Sequence, residues 1–152
     1  MKKTALHGVR DDGNFALLVR QIRDGCQHQI ERQLEADGIR ISFSQYLVVK
    51  ILDKYGPQRP GDLARYLDHN AGAMTRLIDQ LEAEGYVRRE PHGQDRRALT
   101  IELMPAGKRL WRTISGYSER MQKLALRGLS AADRARLLEL LTHVRDALED
   151  IP

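Results

Sequence analysis

Apolar residues recur along much of this chain at steps of three and four, the spacing of one face of an α-helix. The first stripe lies in a segment that Gly38 ends, and it comprises Phe15, Leu18, Ile22, Cys26, Ile30 and Leu34. Three polar residues can cap the start of this segment: Asp11, Asp12 and Asn14. The pattern predicts one long helix with a narrow apolar face, which needs a partner in the same chain or in a second one.

The next segment is apolar nearly all round. Ser42 and Gln45 have the spacing of a capping box, and Gly56-Pro57 ends the segment. Its apolar members are Tyr46, Leu47, Val48, Val49, Ile51 and Leu52. A helix without a polar face is buried, so we expect this one at the centre of the core.

Residues 57–103 predict two short helices followed by a β-hairpin. Pro60 can open the first helix, and Asn70 can cap the second. The second helix has an apolar face formed by Met74, Leu77, Ile78 and Leu81. Residues 86–90 and 99–103 are strand-like, and the polar segment between them contains Gly93 and paired arginines. This order is that of a helix-turn-helix with a two-stranded wing.

The rest of the chain predicts two more helices. Pro105 opens a segment whose apolar positions continue to Gly128, and Ser130 with Asp133 marks a new helix start. The last stripe comprises Leu137, Leu138, Leu141, Val144 and Leu148. The fold class is therefore mainly α, with a small antiparallel sheet.

Composition agrees with a folded domain that favours a polyanion. Hydrophobic residues make up 41% and charged residues 30%, the net charge is +4, and the pI is about 9.4. No apolar run is long enough to span a bilayer, and residues 1–14 lack the apolar core of a secretory signal. The single cysteine cannot form an internal disulfide. We therefore expect a cytoplasmic protein without a membrane partner.

The polar face of the second short helix is the candidate DNA-reading surface. A helix-turn-helix places the start of its second helix in the major groove, where small side chains allow close approach and an arginine fork reads guanine. The candidate reading residues are Ala71, Gly72, Ala73, Thr75 and Arg76. The candidate phosphate contacts are Arg59, Arg65, Arg88 and Arg96. We expect Arg97 to probe the minor groove, with Asp95 orienting an arginine.

These residues resemble the MarR family of winged-helix transcriptional regulators. The resemblance rests on Gly61-Asp62-Leu63-Ala64, Asn70 through Leu81, Glu84-Gly85-Tyr86-Val87, Asp95-Arg96-Arg97 and Pro105-Ala106-Gly107. Asn70, Ala71 and Met104 depart from the residues usual in the family. The resemblance implies a homodimeric DNA-binding regulator without a cofactor, in which a small aromatic or phenolic effector weakens DNA binding.

The resemblance, together with the apolar stripes of the flanking helices, predicts how the chain is organised. Residues 42–104 form the winged helix-turn-helix domain, while residues 1–41 and 105–152 form a helical dimerisation region. Two copies would place their reading helices about 34–36 Å apart on a near-palindromic operator, as a repressor. A monomeric helical bundle is the alternative.

Two further roles are hypotheses at this point. Tyr46, Tyr55 and Trp111 could line an effector pocket, although each also suits plain core packing. Cys26 could make the chain a redox-sensing repressor, although its place on an apolar stripe also suits a buried small hydrophobe.

Other classes of protein have less support. The sequence has no phosphate-binding loop, dinucleotide fingerprint, zinc-protease motif or nucleophile elbow, so we expect no enzyme and no catalytic residues. The five histidines form no close cluster with cysteine or acids, so we expect no metal site. A winged-helix module that binds proteins remains open, and salt dependence would separate it from a DNA-binding protein.

Overall fold

The computed structural model describes residues 14–92 and 95–149, with the backbone alone at 92 and 95–98. These ranges contain seven helices and one two-stranded sheet. The elements in chain order are α1 Phe15–Ala36, α2 Phe43–Tyr55, α3 Pro60–Tyr66, α4 Ala71–Ala83, β1 Val87–His92, β2 Asp95–Leu103, α5 Pro105–Ile114, α6 Tyr117–Ala125 and α7 Ala131–Glu149. The predicted mainly helical class with a two-stranded wing is confirmed.

Side chains cap the first turns of four helices at positions that the sequence predicted: Asn14 before α1, Ser42 before α2, Asn70 before α4 and Ser130 before α7. Asn14 accepts from the backbone N–H of Leu17 at the start of α1, and Asn70 accepts from that of Ala73 at the start of α4. Ser42 and Gln45 form the full capping box of α2, each side chain accepting from the other's backbone N–H. These bonds satisfy N–H groups that a helix leaves without internal partners.

The hydrophobic core is built around α2, as expected from its apolar sequence. Six of its thirteen residues are buried, and they pack with the apolar faces of α3 and α4 and with the base of the sheet. The shared cluster includes Val48, Leu63, Ile78, Val87 and Ile101. The predicted inward face of α4 is confirmed in full, because Met74, Leu77, Ile78 and Leu81 are all buried.

The sheet is longer than the sequence indicated. Its strands pair antiparallel from Val87 opposite Leu103 to His92 opposite Asp95, with an irregularity between Pro91 and His92. The sequence predicted that the first strand would end at residue 90 and that the second would begin at residue 99. Backbone pairing continues past the alternating apolar positions, because hydrogen bonds between main chains do not require an apolar side chain.

A close backbone contact attaches α5 to the corner before β1. The N–H of Met104 donates to the carbonyl of Tyr86 at 2.9 Å, although Met104 offers no side-chain cap. A Cβ on buried Gly107 would collide with that same carbonyl oxygen, far inside van der Waals contact. Only glycine leaves room for this approach, so Gly107 fixes where α5 begins relative to the sheet.

The single long helix predicted from residue 105 to residue 128 is wrong. Helix α5 ends at Ile114, Ser115 and Gly116 form a turn, and α6 begins at Tyr117. Tyr117 is fully buried, and its hydroxyl donates to a carboxylate oxygen of Asp37 just after α1. Gly116 is a weak helix former, and this tertiary contact takes the place of a continuous helix.

The chain forms two compact units, Met1–Tyr117 and Ser118–Pro152. In the first unit, the α1 stripe is buried only at Ile30 and Leu34, while Phe15, Leu18 and Ile22 are exposed. In the second, none of the described residues of α7 is buried. Among the described residues, no helix has the length and apolar character needed to cross a membrane.

Candidate nucleic-acid interface

The small residues that the sequence analysis predicted for close approach to DNA lie at the start of α4. Ala71 and Gly72 are exposed and Ala73 is half-buried, so little side-chain bulk covers the first turn. Thr75 and Arg76 are exposed in the second turn, opposite the buried face. The structure therefore brings the five predicted reading residues together on one accessible surface.

Thr75 and Arg76 differ in how free their polar groups are. The hydroxyl of Thr75 donates to the carbonyl of Ala71 at 2.9 Å, which leaves its oxygen as an acceptor on an exposed residue. Arg76 makes no ion pair with any described side chain. An unpaired guanidinium on this face can donate to the acceptors that guanine presents in the major groove.

The candidate phosphate contacts fall into two groups. Arg59 lies at the N-cap position of α3, exposed and without an ion pair among the described residues. Arg65 pairs with Asp62, and Arg88 pairs with Glu90 and Glu102. These pairs are largely exposed, so a phosphate could replace the carboxylates at small cost.

Arg89 is a functional candidate that the sequence pattern did not indicate. Its guanidinium donates to Asp79 on α4 at 2.5 Å and to Glu82 one turn later, and its backbone N–H also donates to Glu82. Burial lowers the pKa of Arg89, but the hydrogen bonds and charges of the two acids outweigh it and raise the pKa. Arg89 thus ties β1 to α4 and neutralises acids on the reading helix.

The tip of the wing is described only by its backbone. Asp95, Arg96 and Arg97 belong to β2, so the predicted wing residues lie at the end of the sheet away from the core. Their side chains lie outside the described part of the structure, and the orienting role predicted for Asp95 therefore stays a prediction.

The predicted effector-pocket residues do not all meet. The rings of Tyr46 and Trp111 lie 6.0 Å apart, and Tyr46 is fully buried while Trp111 is half-buried. Tyr55 is exposed at the end of α2, where Lys54 lies 4.9 Å from its ring centroid. The structure therefore joins Tyr46 and Trp111, while Tyr55 belongs to the surface.

Cys26 is half-buried on α1. Among the described residues, no three side chains of the histidine, cysteine and acid types are grouped so as to hold a metal ion. Neither finding adds a redox or metal function to the candidate surface on α4.

Comparison with known proteins gives relatives of one kind. The chain is 27% identical to YfiV of Bacillus subtilis, described as an uncharacterised HTH-type transcriptional regulator, over 72% of this chain and 69% of the relative. It is 31% identical to the multiple antibiotic resistance protein MarR of Salmonella typhimurium, over 62% of each chain. It is 23% identical to the HTH-type transcriptional repressor NicR of Pseudomonas putida, over 82% of this chain and 78% of NicR.

Solved structures share the fold. Apo MarR from E. coli matches with a TM-score of 0.74 at 22% identity, over 86% of this chain and 96% of that one. BpsR of Bordetella bronchiseptica matches with a TM-score of 0.77 at 18% identity, over 91% of this chain and 97% of that one. BpsR is a protein whose DNA binding is regulated by 6-hydroxynicotinic acid.

A helix pair joined by a tight turn, followed by a two-stranded wing, defines a winged helix-turn-helix DNA-binding protein. Residues 41–99 match the model of the MarR family, and they span α2, the helix pair and most of the wing. This segment therefore carries the MarR-family domain, and the relatives reported above are described as transcriptional regulators.

Proposed function

We propose that this protein binds a near-palindromic double-stranded operator as a homodimer and represses transcription from it. The single observation that carries the proposal is the exposed start of α4, where small residues precede Arg76, which has no ion pair among the described side chains. Such a surface can enter a major groove without first breaking internal ion pairs. A regulator acts where the chromosome is, so the proposal places the protein in the cytoplasm.

Base reading would fall to Arg76 and Thr75, while Ala71, Gly72 and Ala73 would permit close approach of the backbone. Arg76 would donate to guanine O6 and N7. Arg59 would bind phosphate directly, and Arg65 and Arg88 would exchange their exposed carboxylates for phosphates. Arg96 and Arg97 on the wing would supply backbone and minor-groove contacts, with Asp95 orienting one of them.

The proposed homodimer would use residues 1–41 and 105–152. Supporting it are large apolar side chains that these segments leave exposed: Phe15, Leu18, Val19, Ile22, Leu138, Leu140, Leu141 and Leu148. Exposed apolar side chains at helical spacing are typical of an interface. A stable specific interface of this kind buries at least ~1,200 Å².

Repression and release by a small molecule complete the proposal. NicR is described as a repressor, and BpsR as a protein whose DNA binding 6-hydroxynicotinic acid regulates. In this chain the adjacent rings of Tyr46 and Trp111 support an aromatic effector. Such a ligand acts only through its preference for one arrangement of the reading helices.

Selection of bound sites from a random duplex pool, followed by a footprint of one winner, tests this function. We expect two inverted half-sites one helical turn apart, each containing guanine. The affinity should fall steeply with added salt, because phosphate binding releases counterions. Failure to enrich any duplex would contradict the proposal.

A further inference from the structure

The first turn of α2 makes two contacts with the reading helix and the turn before it. Ser44 Oγ lies 3.1 Å from Nε2 of His69, the residue just before the Asn70 cap of α4. Gln45 Nε2 donates to the side-chain oxygen of Gln80 in the third turn of α4, at 3.1 Å. We name these four residues, Ser44, His69, Gln45 and Gln80, the reading-helix bracket.

In each half of the bracket, one residue has its other polar side-chain atom already engaged. Nδ1 of His69 lies 2.8 Å from the carbonyl of Leu67, which can only accept, so this nitrogen carries a proton. Nε2 then accepts from the Ser44 hydroxyl in neutral His69, and donates to it in the charged form. The oxygen of Gln45 accepts from Ser42 N–H, so its NH₂ is left to reach Gln80.

The position of the bracket determines what it can control. Its contacts lie at both ends of the segment that presents Thr75 and Arg76, one before the N-cap and one four residues beyond Arg76. The apolar face of α4 resists separation from the core, but apolar packing is non-directional. Hydrogen bonds are directional, so they resist rotation and sliding of the helix along that core.

We propose that Ser44 and Gln45 are positioning residues that set the angle of α4 for base reading, through His69 and Gln80. This rests on the proposed function. A helix held in one orientation meets the right base edges without a further loss of conformational freedom on binding. Non-specific binding to phosphates does not depend on that orientation, so the bracket acts on selectivity.

The test uses the full chain with two single substitutions, Ser44→Ala and Gln80→Met. Both leave the Ser42–Gln45 capping box intact, and Met keeps the length of Gln while removing the hydrogen bond. Ser44→Thr keeps a hydroxyl and should restore wild-type behaviour. Ser115→Ala and Gln122→Met repeat the chemistry at exposed positions outside the bracket.

The first measurement needs no DNA. We expect amide hydrogen exchange in residues 71–83 to accelerate several-fold in Ser44→Ala and Gln80→Met, and by a larger factor than exchange in the rest of the core. The controls should leave it unchanged. Unchanged exchange in both bracket variants would overturn the proposal whatever the DNA-binding result.

The second measurement compares the Kd for a duplex selected by the wild-type protein with the Kd for a scrambled duplex of the same composition. Each bracket variant should lose up to tenfold in affinity for the selected duplex, the effect of one hydrogen bond. The scrambled duplex should bind as before. Equal losses on both duplexes, or none, would overturn the proposal, whereas a wild-type protein that selects no duplex would contradict the proposed function instead.

Discussion

At the scale of single residues, the proposed base reading would depend most on Arg76. It is exposed on α4 and unpaired among the described residues, unlike Arg65, Arg88 and Arg89. We expect Arg76→Ala to cost roughly 1–3 kcal/mol per half-site and to relax sequence preference. Site selection repeated with the variant checks this, and unchanged affinity and selectivity would mean that another residue reads the base.

Thr75 should read a different kind of base pair. Its hydroxyl proton is donated to Ala71, so the oxygen can accept from an amino group, and the exposed side chain also carries a methyl group. An A·T pair presents both an amino group and a methyl group in the major groove. We expect Thr75→Val and Thr75→Ser each to weaken preference at one A·T position, by about 1 kcal/mol.

Selection with the two Thr75 variants separates the two contributions. Valine keeps the methyl and removes the hydroxyl, whereas serine does the reverse. If neither variant changes the preference at any A·T position of the half-site, Thr75 does not read a base.

Gly107 provides a test of the fold that is independent of DNA. The added Cβ of Gly107→Ala would collide with the Tyr86 carbonyl oxygen, so α5 or the β1 corner must move. We expect a loss of about 1–3 kcal/mol in the free energy of unfolding, measured by denaturant titration.

Gly61→Ala is the matched control for Gly107→Ala. Gly61 also lies in the first turn of a helix, but its added Cβ meets nothing within 4 Å. Alanine favours a helix over glycine, so this variant should be neutral or more stable. Equal effects at Gly61 and Gly107 would show that the close approach to Tyr86 is unimportant.

At the scale of elements, the wing and the reading helix are joined by Arg89. Its side chain is 25% exposed and bonds two acids of α4, so its loss leaves both carboxylates without their partner. We expect Arg89→Gln to cost about 1–3 kcal/mol of stability, in the range of hydrogen bonds to charged groups. Urea unfolding measures this change.

Arg88→Gln is the control for the Arg89 prediction. Arg88 also pairs with two acids, Glu90 and Glu102, but its side chain is 51% exposed. Exposed pairs contribute at most about 1 kcal/mol. A larger loss at Arg88 than at Arg89 would contradict the role given to burial.

The helices show which elements were predictable and which were not. Ser42 with Gln45 and the cap Asn70 fixed the starts of α2 and α4, because capping depends on neighbouring residues only. The break at Ser115-Gly116 was missed, since the apolar spacing continues across it. That break depends on the burial of Tyr117 against the end of α1.

At the scale of the whole molecule, the proposed dimer makes a geometric prediction. Inserting five base pairs between the half-sites turns one of them to the opposite side of the duplex. We expect the affinity to drop to that of a single half-site, measured by fluorescence anisotropy. Inserting ten base pairs returns both half-sites to the same side of the duplex and should recover part of the lost affinity.

The solution mass is the companion measurement for the dimer. Light scattering should give twice the 17.4 kDa of one chain. A mass of one chain on the selected duplex, or tolerance of the five-base-pair insertion, would show that the two half-sites are not read together.

The sequence by itself determined the order of α2, α3, α4, β1 and β2, the inward face of α4 and the candidate residues for DNA contact. These follow from local spacing and capping, which need no knowledge of distant contacts. Only the tertiary structure decided which of those residues are free. Arg65 and Arg88 have carboxylate partners, Arg89 joins the wing to α4, and Ser44 and Gln45 reach His69 and Gln80. Such pairs link residues that folding brings together, and a periodic pattern carries no record of them.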